Sequence, residues 1–327
     1  MRPASFVLAS LLGLALAASS AQAQLARSFV SADIGNDGNA PNCNRTTPCR
    51  TFQVAHDNTL ALGEITVLTS GSYGAVAINR NISIINDGVG EAGILVSGGG
   101  VAITVNAPGA SVTLRGLTIK GIGFGGGNGI QFSAGNALNV ENCTIRNLDG
   151  TNLGRGISYL PSGTAALQVT NSIVSDNAGD GIVIGAVGDN ANVVAALDHV
   201  GIYNNGGSGL LVSAVFANTG VVQATAVESQ ASNNNNNNTS GSAGFLAAAS
   251  GKGFANILLV RSVASGNLVN GVLSTGVNAQ IIVNTSAVYG NVSGWAAING
   301  GQLFSFGNNA VIFNDSNGSG QSPLSLK

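Results

Sequence analysis

From residue 112 onward one short frame of apolar and polar positions recurs: apolar-x-apolar-x-x-small or apolar-x-apolar. It reads Val112, Leu114, Leu117, Ile119, then Leu138, Val140, Cys143, Ile145, then Leu167, Val169, Ser172, Val174. Further copies are Ala195-Leu197-Val200-Ile202, Ala224-Ala226-Ser229-Ala231, Ile257-Leu259-Ser262-Ala264 and Ile281-Val283-Ser286-Val288. Seven copies succeed one another every 24 to 33 residues. A glycine followed by an apolar residue trails each copy, as in Gly129-Ile130, Gly181-Ile182, Gly244-Phe245 and Gly294-Trp295. Two markers that keep step over this length define a repeat protein.

Alternation inside the frame has a period of two, which specifies strands. One unit is too small to bury its own apolar side chains. Stacked units pair each strand with its equivalent about 4.8 Å away, and the inward positions become continuous columns. The frame therefore predicts a parallel β-helix, with a sharp bend at the double polar step. Asn177, Asn205, Asn234, Asn267 and Asn291 stand three residues after five successive frames. A side-chain amide at one turn of every coil can bond to the amides above and below, and Asn tolerates the left-handed backbone of such bends.

Less regular strands precede the frame, at residues 64–68, 76–78, 82–84 and 94–96. Residues 51–59 read as one short helix that covers the open end of the first coil. The solenoid is expected over 64–314, with an Asn-rich loop at 233–244, an end closed by residues 303–306 and 311–313, and a polar tail over 315–327. Trp295 is expected to cover the core near that end.

Residues 1–23 begin Met1-Arg2, run through an apolar stretch from Phe6 to Ala18 and end Ala21-Gln22-Ala23, the pattern of a secretory signal peptide cleaved before Gln24. The mature protein is expected to be secreted, periplasmic or on the cell surface, with no membrane span. In such an oxidising setting Cys43 and Cys49, in a polar loop within an N-terminal cap over 24–63, are expected to form a disulfide. Cys143 occupies an inward frame position and reads as a small buried residue.

Composition narrows the partners. Only 8% of the 327 residues are charged and the net charge is −2, so no basic excess exists to neutralise nucleic-acid phosphates. The 44% hydrophobic content excludes a disordered chain.

The segment from Phe29-Val30-Ser31 through Asp33, Asp37 and Asn42 to Pro48-Cys49-Arg50-Thr51-Phe52, followed by Ile65-Thr66-Val67-Leu68 and Gly71-x-Tyr73, resembles the opening of bacterial β-helix proteins of the pectin-lyase-like superfamily. The repeats resemble their coils. The resemblance implies an all-β, single-stranded right-handed parallel β-helix with a short N-terminal capping helix. It does not imply one activity. The Asn-Thr-Asp, paired-Asp, Gly-His-Gly and Arg-x-Lys segments of polygalacturonase-like members are absent from the sequence.

The frame register maps outward residues into columns. One runs Arg115, Glu141, Thr170, Asp198, Val227, Val260, Asn284, and its neighbour Gly116, Asn142, Asn171, His199, Glu228, Arg261, Thr285. Arg115, Glu141, Asp198, His199, Glu228 and Arg261 are therefore expected on one face, the candidate binding face in a chain poor in charge. Glu228–Arg261 and Arg115–Glu141 are expected to pair as cross-strand ion pairs. No dedicated metal site is read, although Asp33, Asp37 and nearby Asn residues supply oxygens suited to Ca²⁺. The expected role is a non-catalytic glycan-binding or surface module with a polysaccharide partner. The alternatives are a lyase or hydrolase acting on acidic polysaccharide, and an adhesin-like protein-binding scaffold.

Overall fold

The structure, a computed structural model, describes residues 25–121, 126–150, 154–215, 219–237 and 241–324. The signal-peptide segment lies outside the described residues. Among those residues the strands form three parallel sheets of 12, 10 and 10 strands. Each coil contributes one strand to each sheet in turn. The coil around residue 170, for example, supplies Ala165–Thr170 to sheet 1, Ile173–Ser175 to sheet 2 and Ile182–Gly185 to sheet 3.

The frame positions stack as the alternation requires. In sheet 1, Leu114, Val140, Val169, Leu197, Ala226, Leu259 and Val283 are register partners along successive coils, and all are buried. In sheet 2 the column is Ile119, Ile145, Val174, Ile202, Ala231, Ala264 and Val288. The columns meet in one continuous core. Each fully buried aliphatic residue removes enough apolar surface to contribute about 1.5–3 kcal/mol, offset by the entropy of ordering the chain.

The trailing glycines face the neighbouring coil. A Cβ on Gly181 would lie 2.8 Å from the carbonyl oxygen of Gly209 and 2.4 Å from Ile202 Cγ2. At Gly244 it would lie 2.8 Å from the Gly271 oxygen and 2.7 Å from Asn267 Nδ2. Close approach, rather than backbone handedness, explains this marker.

The predicted asparagine ladder is present and longer than its five members. Nδ2 of Asn177 donates to Oδ1 of Asn205 at 2.9 Å, and the same bond repeats from Asn205 to Asn234, Asn234 to Asn267, Asn267 to Asn291 and Asn291 to Asn314. Leu148 begins the column by donating its N–H to Asn177 Oδ1. The left-handed backbone is not carried by the ladder itself. It belongs to the preceding residues, among them Asp176, Asn204 and Asn233, at φ 57°, 54° and 54°.

A second internal ladder occupies the small position of the frame. The N–H groups of Val200, Ser229 and Ser262 donate to the hydroxyls of Ser229, Ser262 and Ser286. Those hydroxyls in turn donate to the carbonyls of Val227, Val260 and Asn284. Serine at this site is a structural polar group rather than a space-filler.

At the N-terminal end the helix Phe52–Asp57 starts at Thr51, whose side chain accepts the Val54 N–H. Phe52 and Ala55 join the core, so the helix covers the first coils. Cys43 and Cys49 form a disulfide. Cys143 is free and buried, and burial pushes its thiol up to about 11. At the other end the chain from Asp315 does more than trail away. Ser316–Ser319 and Gln321–Pro323 extend sheets 3 and 1 by one further rung. Trp295 lies between Val272 and Gly318 in the sheet 3 column and is 7% exposed.

Candidate functional site

The six candidate charged residues lie along one edge, at the bend where sheet 1 passes into sheet 2. Arg115, Glu141, Thr170, Asp198, Val227, Val260 and Asn284 are register partners at the ends of successive sheet 1 strands. The next residue in each coil makes the bend and has positive φ: Gly116 at 71°, Asn142 at 52°, Asn171 at 49°, His199 at 53°, Glu228 at 47°, Arg261 at 47° and Thr285 at 49°. The first three coils use residue types that adopt this conformation readily. His199 is also of a type found there, whereas Glu228, Arg261 and the β-branched Thr285 are not and are held there at a cost of about 1–2 kcal/mol each.

Within the edge the six residues divide into two groups separated by Thr170 and Asn171. In the first, Arg115 Nη2 lies 2.9 Å from Asp87 Oδ1, and Arg115 Nη1 lies 3.8 Å from Glu141 Oε2. In the second, His199 Nδ1 lies 2.8 Å from Asp198 Oδ1 and Nε2 lies 2.7 Å from Glu228 Oε2. Arg261 Nε donates to the other oxygen of Glu228 at 2.8 Å. Asp198, His199, Glu228 and Arg261 thus form one unbroken run of side-chain contacts. All four are substantially exposed, so water screens the individual attractions.

Glu141 also borders an open cleft of about 280 Å³ with Thr113, Asn139, Val140, Gln168 and Thr170. Thr113, Asn139 and Gln168 are register partners on the outer face of sheet 1. Among the described residues Asn139 Nδ2 and Gln168 Nε2 make only long contacts of 3.5 Å, to the Thr113 and Thr170 hydroxyls. The cleft therefore offers hydroxyl, carboxamide and carboxylate groups to a ligand.

The Asp37 carboxylate has a structural task. Its Oδ1 accepts the N–H groups of Arg50 and Thr51 at 2.8 and 3.0 Å, and Oδ2 accepts the Thr51 hydroxyl. Among the described residues no three His, Cys, Asp or Glu side chains gather as a metal site.

Asp87 was outside the sequence map because it precedes the first frame copy at 112. Its signal was positional: Ile85 is the register partner of Arg115, so Asp87 stands just past the same strand end. A second missed set is Gln223, Asn256, Gln280 and Gln302, each placed just before an inward apolar residue of sheet 1, namely Ala224, Ile257, Ile281 and Leu303.

Solved structures share this architecture. Pectate lyase Pel9A superposes with a TM-score of 0.54 at 17% identity, over 85% of this chain and 74% of that one. A rhamnogalacturonan lyase gives 0.57 at 13% identity, over 85% and 75%. The chain has the right-handed parallel β-helix of the pectin-lyase-like fold. No family model matches the sequence, and no curated protein matches it significantly. No helix among the described residues is long and apolar enough to cross a membrane.

Proposed function

We propose that the protein is an exported polysaccharide-binding β-helix that holds its ligand on the outer face of sheet 1 without cleaving it. The observation that carries this reading is the closed pairing of the charged edge. Both ring nitrogens of His199 face carboxylate oxygens, and Glu228 is shared between His199 and Arg261. Arg115 is held between Asp87 and Glu141. A general base must aim a ring nitrogen at the proton it removes, and both ring nitrogens of His199 are aimed at carboxylate oxygens instead. The groups left open beside the edge are the hydroxyls and carboxamides of the Glu141 cleft, which suit hydroxyl-rich ligands. Export rests on the Met1–Ala23 pattern.

The shared fold with two lyases favours turnover as a second reading. Both are tested together. The mature protein is incubated with polygalacturonate, rhamnogalacturonan and alginate, with and without Ca²⁺. Binding is followed by calorimetry, and new unsaturated or reducing ends are measured. The expected result is binding without new ends, weakened by Asn139→Ala and Gln168→Ala. New ends that vanish in His199→Ala or Arg261→Ala would establish the lyase or hydrolase reading instead. Absence of any glycan binding would direct attention to a protein partner.

A further inference from the structure

The solenoid contains two columns of carboxamides in opposite states. The internal one, Asn177 to Asn314, is bonded from coil to coil throughout. The external one runs Gln223, Asn256, Gln280 and Gln302, register partners on the outer face of sheet 1. Among the described residues none of these four side chains has a hydrogen-bond partner within the protein. Stacked Asn and Gln side chains ordinarily bond along the column. Here their donors and acceptors face outward instead.

Three of the four line a cleft of about 350 Å³, together with Phe254, Val277, Asn278 and Ala279. That volume is at the lower end of the range for small-molecule sites, roughly 300–1,000 Å³. Phe254 is 47% exposed and lies two residues before Asn256 on the same strand, hence on the same face. Asn278 Nδ2 donates to the Gly251 carbonyl, which fixes that side chain at the rim. Among the described residues that line the cleft none is charged.

We propose that this cleft is a binding site for a neutral saccharide chain, with one sugar ring laid against Phe254 and its hydroxyls bonded to Asn256, Gln280 and Gln302. A pyranose has a C–H face that packs on an aromatic ring and equatorial hydroxyls that both donate and accept. A carboxamide answers a hydroxyl in both senses, with two N–H donors and a carbonyl acceptor. Successive coils repeat the amide about every 4.8 Å, a step comparable with one sugar ring, so a linear chain running across the coils meets the same group at each residue. A uronate chain would bring carboxylates to a lining that holds no cation, the exposed Lys252 standing outside it in the turn before Phe254, and desolvating an unpaired charge is costly. The site therefore selects uncharged glycans. The site rests on the reading of this face as glycan-binding but shares no residue with the Glu141 cleft.

The test uses xylohexaose, cellohexaose and mannohexaose as neutral probes and hexagalacturonate as the anionic one. Affinity is measured by calorimetry and contact by saturation-transfer NMR, on the mature wild-type protein and on Phe254→Ala, Gln280→Ala and Phe254→Trp. At least one neutral hexaose is expected to bind. Phe254→Ala and Gln280→Ala should each weaken it tenfold or more, and Phe254→Trp should retain it, with unchanged thermal unfolding showing that the exposed substitutions leave the fold intact. The proposal is overturned if no neutral hexaose binds, if hexagalacturonate displaces it from this cleft, or if both alanine variants bind as wild type does. Neutral binding lost in Asn139→Ala but kept in Phe254→Ala would move the ligand to the Glu141 cleft, which sinks this site and leaves the broader reading standing. Glycan binding that Asn139→Ala and Gln168→Ala leave unchanged while the Phe254 effect persists sinks the Glu141 cleft and leaves this site standing.

Discussion

Nδ2 of Asn205 donates to Oδ1 of Asn234 at 2.9 Å, and both side chains are completely buried. The bond joins one coil to the next, and its equivalents above and below turn a set of turns into a continuous polar spine. Buried donors left without partners cost about 1–3 kcal/mol each, so position in the spine decides what a substitution does. Asn205→Leu removes the acceptor of two donors, the N–H and Nδ2 of Asn177. Asn177→Leu removes the acceptor of one, the N–H of Leu148. Leucine already fills the equivalent place at Leu148, so the side chain fits. We expect both variants to be destabilised in urea unfolding, Asn205→Leu by about 1–3 kcal/mol more. Equal losses would mean that the spine contributes packing rather than hydrogen bonds.

The left-handed bend at Arg261 sets backbone strain against an ion pair. Strain at a non-glycine residue in this conformation is about 1–2 kcal/mol, and an exposed salt bridge contributes about 0–1 kcal/mol. Strain is the larger quantity. Arg261→Gly is accordingly expected to hold or raise the melting temperature, even though it removes the 2.8 Å contact to Glu228 and adds conformational freedom to the unfolded chain. A clear fall in melting temperature, reproduced in Glu228→Gly, would show that the Asp198–Arg261 run stabilises the fold as a network.

Gly181→Ala should be far more damaging than its size suggests. The added methyl meets the Gly209 carbonyl, which the coil above holds in place, as well as Ile202 and Asn205. Overpacking of this kind costs about 1–3 kcal/mol. The exposed Gly163, where a Cβ meets nothing, is the control and should accept alanine with little change. Denaturation midpoints of the two variants decide the matter, and similar midpoints would contradict the close-approach explanation of the glycine marker.

Much of this architecture was legible because the repeat multiplies weak signals. Leu114, Val140 and Val169 say little singly, yet their shared frame places them over one another. The same register put Arg115, Glu141, Asp198, His199, Glu228 and Arg261 on one edge. Three things escaped it for physical reasons. Ser316–Ser319 has no aliphatic alternation, and it is a strand because the edge of the coil beneath offers backbone partners. Glu228 and Arg261 carry no mark of a left-handed backbone, since their residue types disfavour it. The open state of Gln223, Asn256, Gln280 and Gln302 depends on side-chain directions, which spacing alone does not determine.

Acid should loosen the N-terminal cap through His56. This residue sits in the capping helix with its side chain fully buried. Its Nδ1 is 2.9 Å from Asp57 Oδ1, and Nε2 has no partner. Burial lowers its pKa below the ordinary value of 6.5, with nearby Arg80 acting in the same direction and Asp57 opposing both. The folded state therefore binds a proton less readily than the unfolded chain does. By linkage, the stability contributed by neutral His56 is intact above about pH 6.5 and is lost as pH falls through the lower folded value. His56→Gln keeps a polar side chain and removes the titration. Between pH 7 and pH 5 the wild-type protein should lose more stability in urea than this variant. Hydrogen exchange should show the difference in the helix Phe52–Asp57 and its neighbouring strands. Parallel pH profiles for the two proteins would mean that His56 takes up its proton within the fold without penalty.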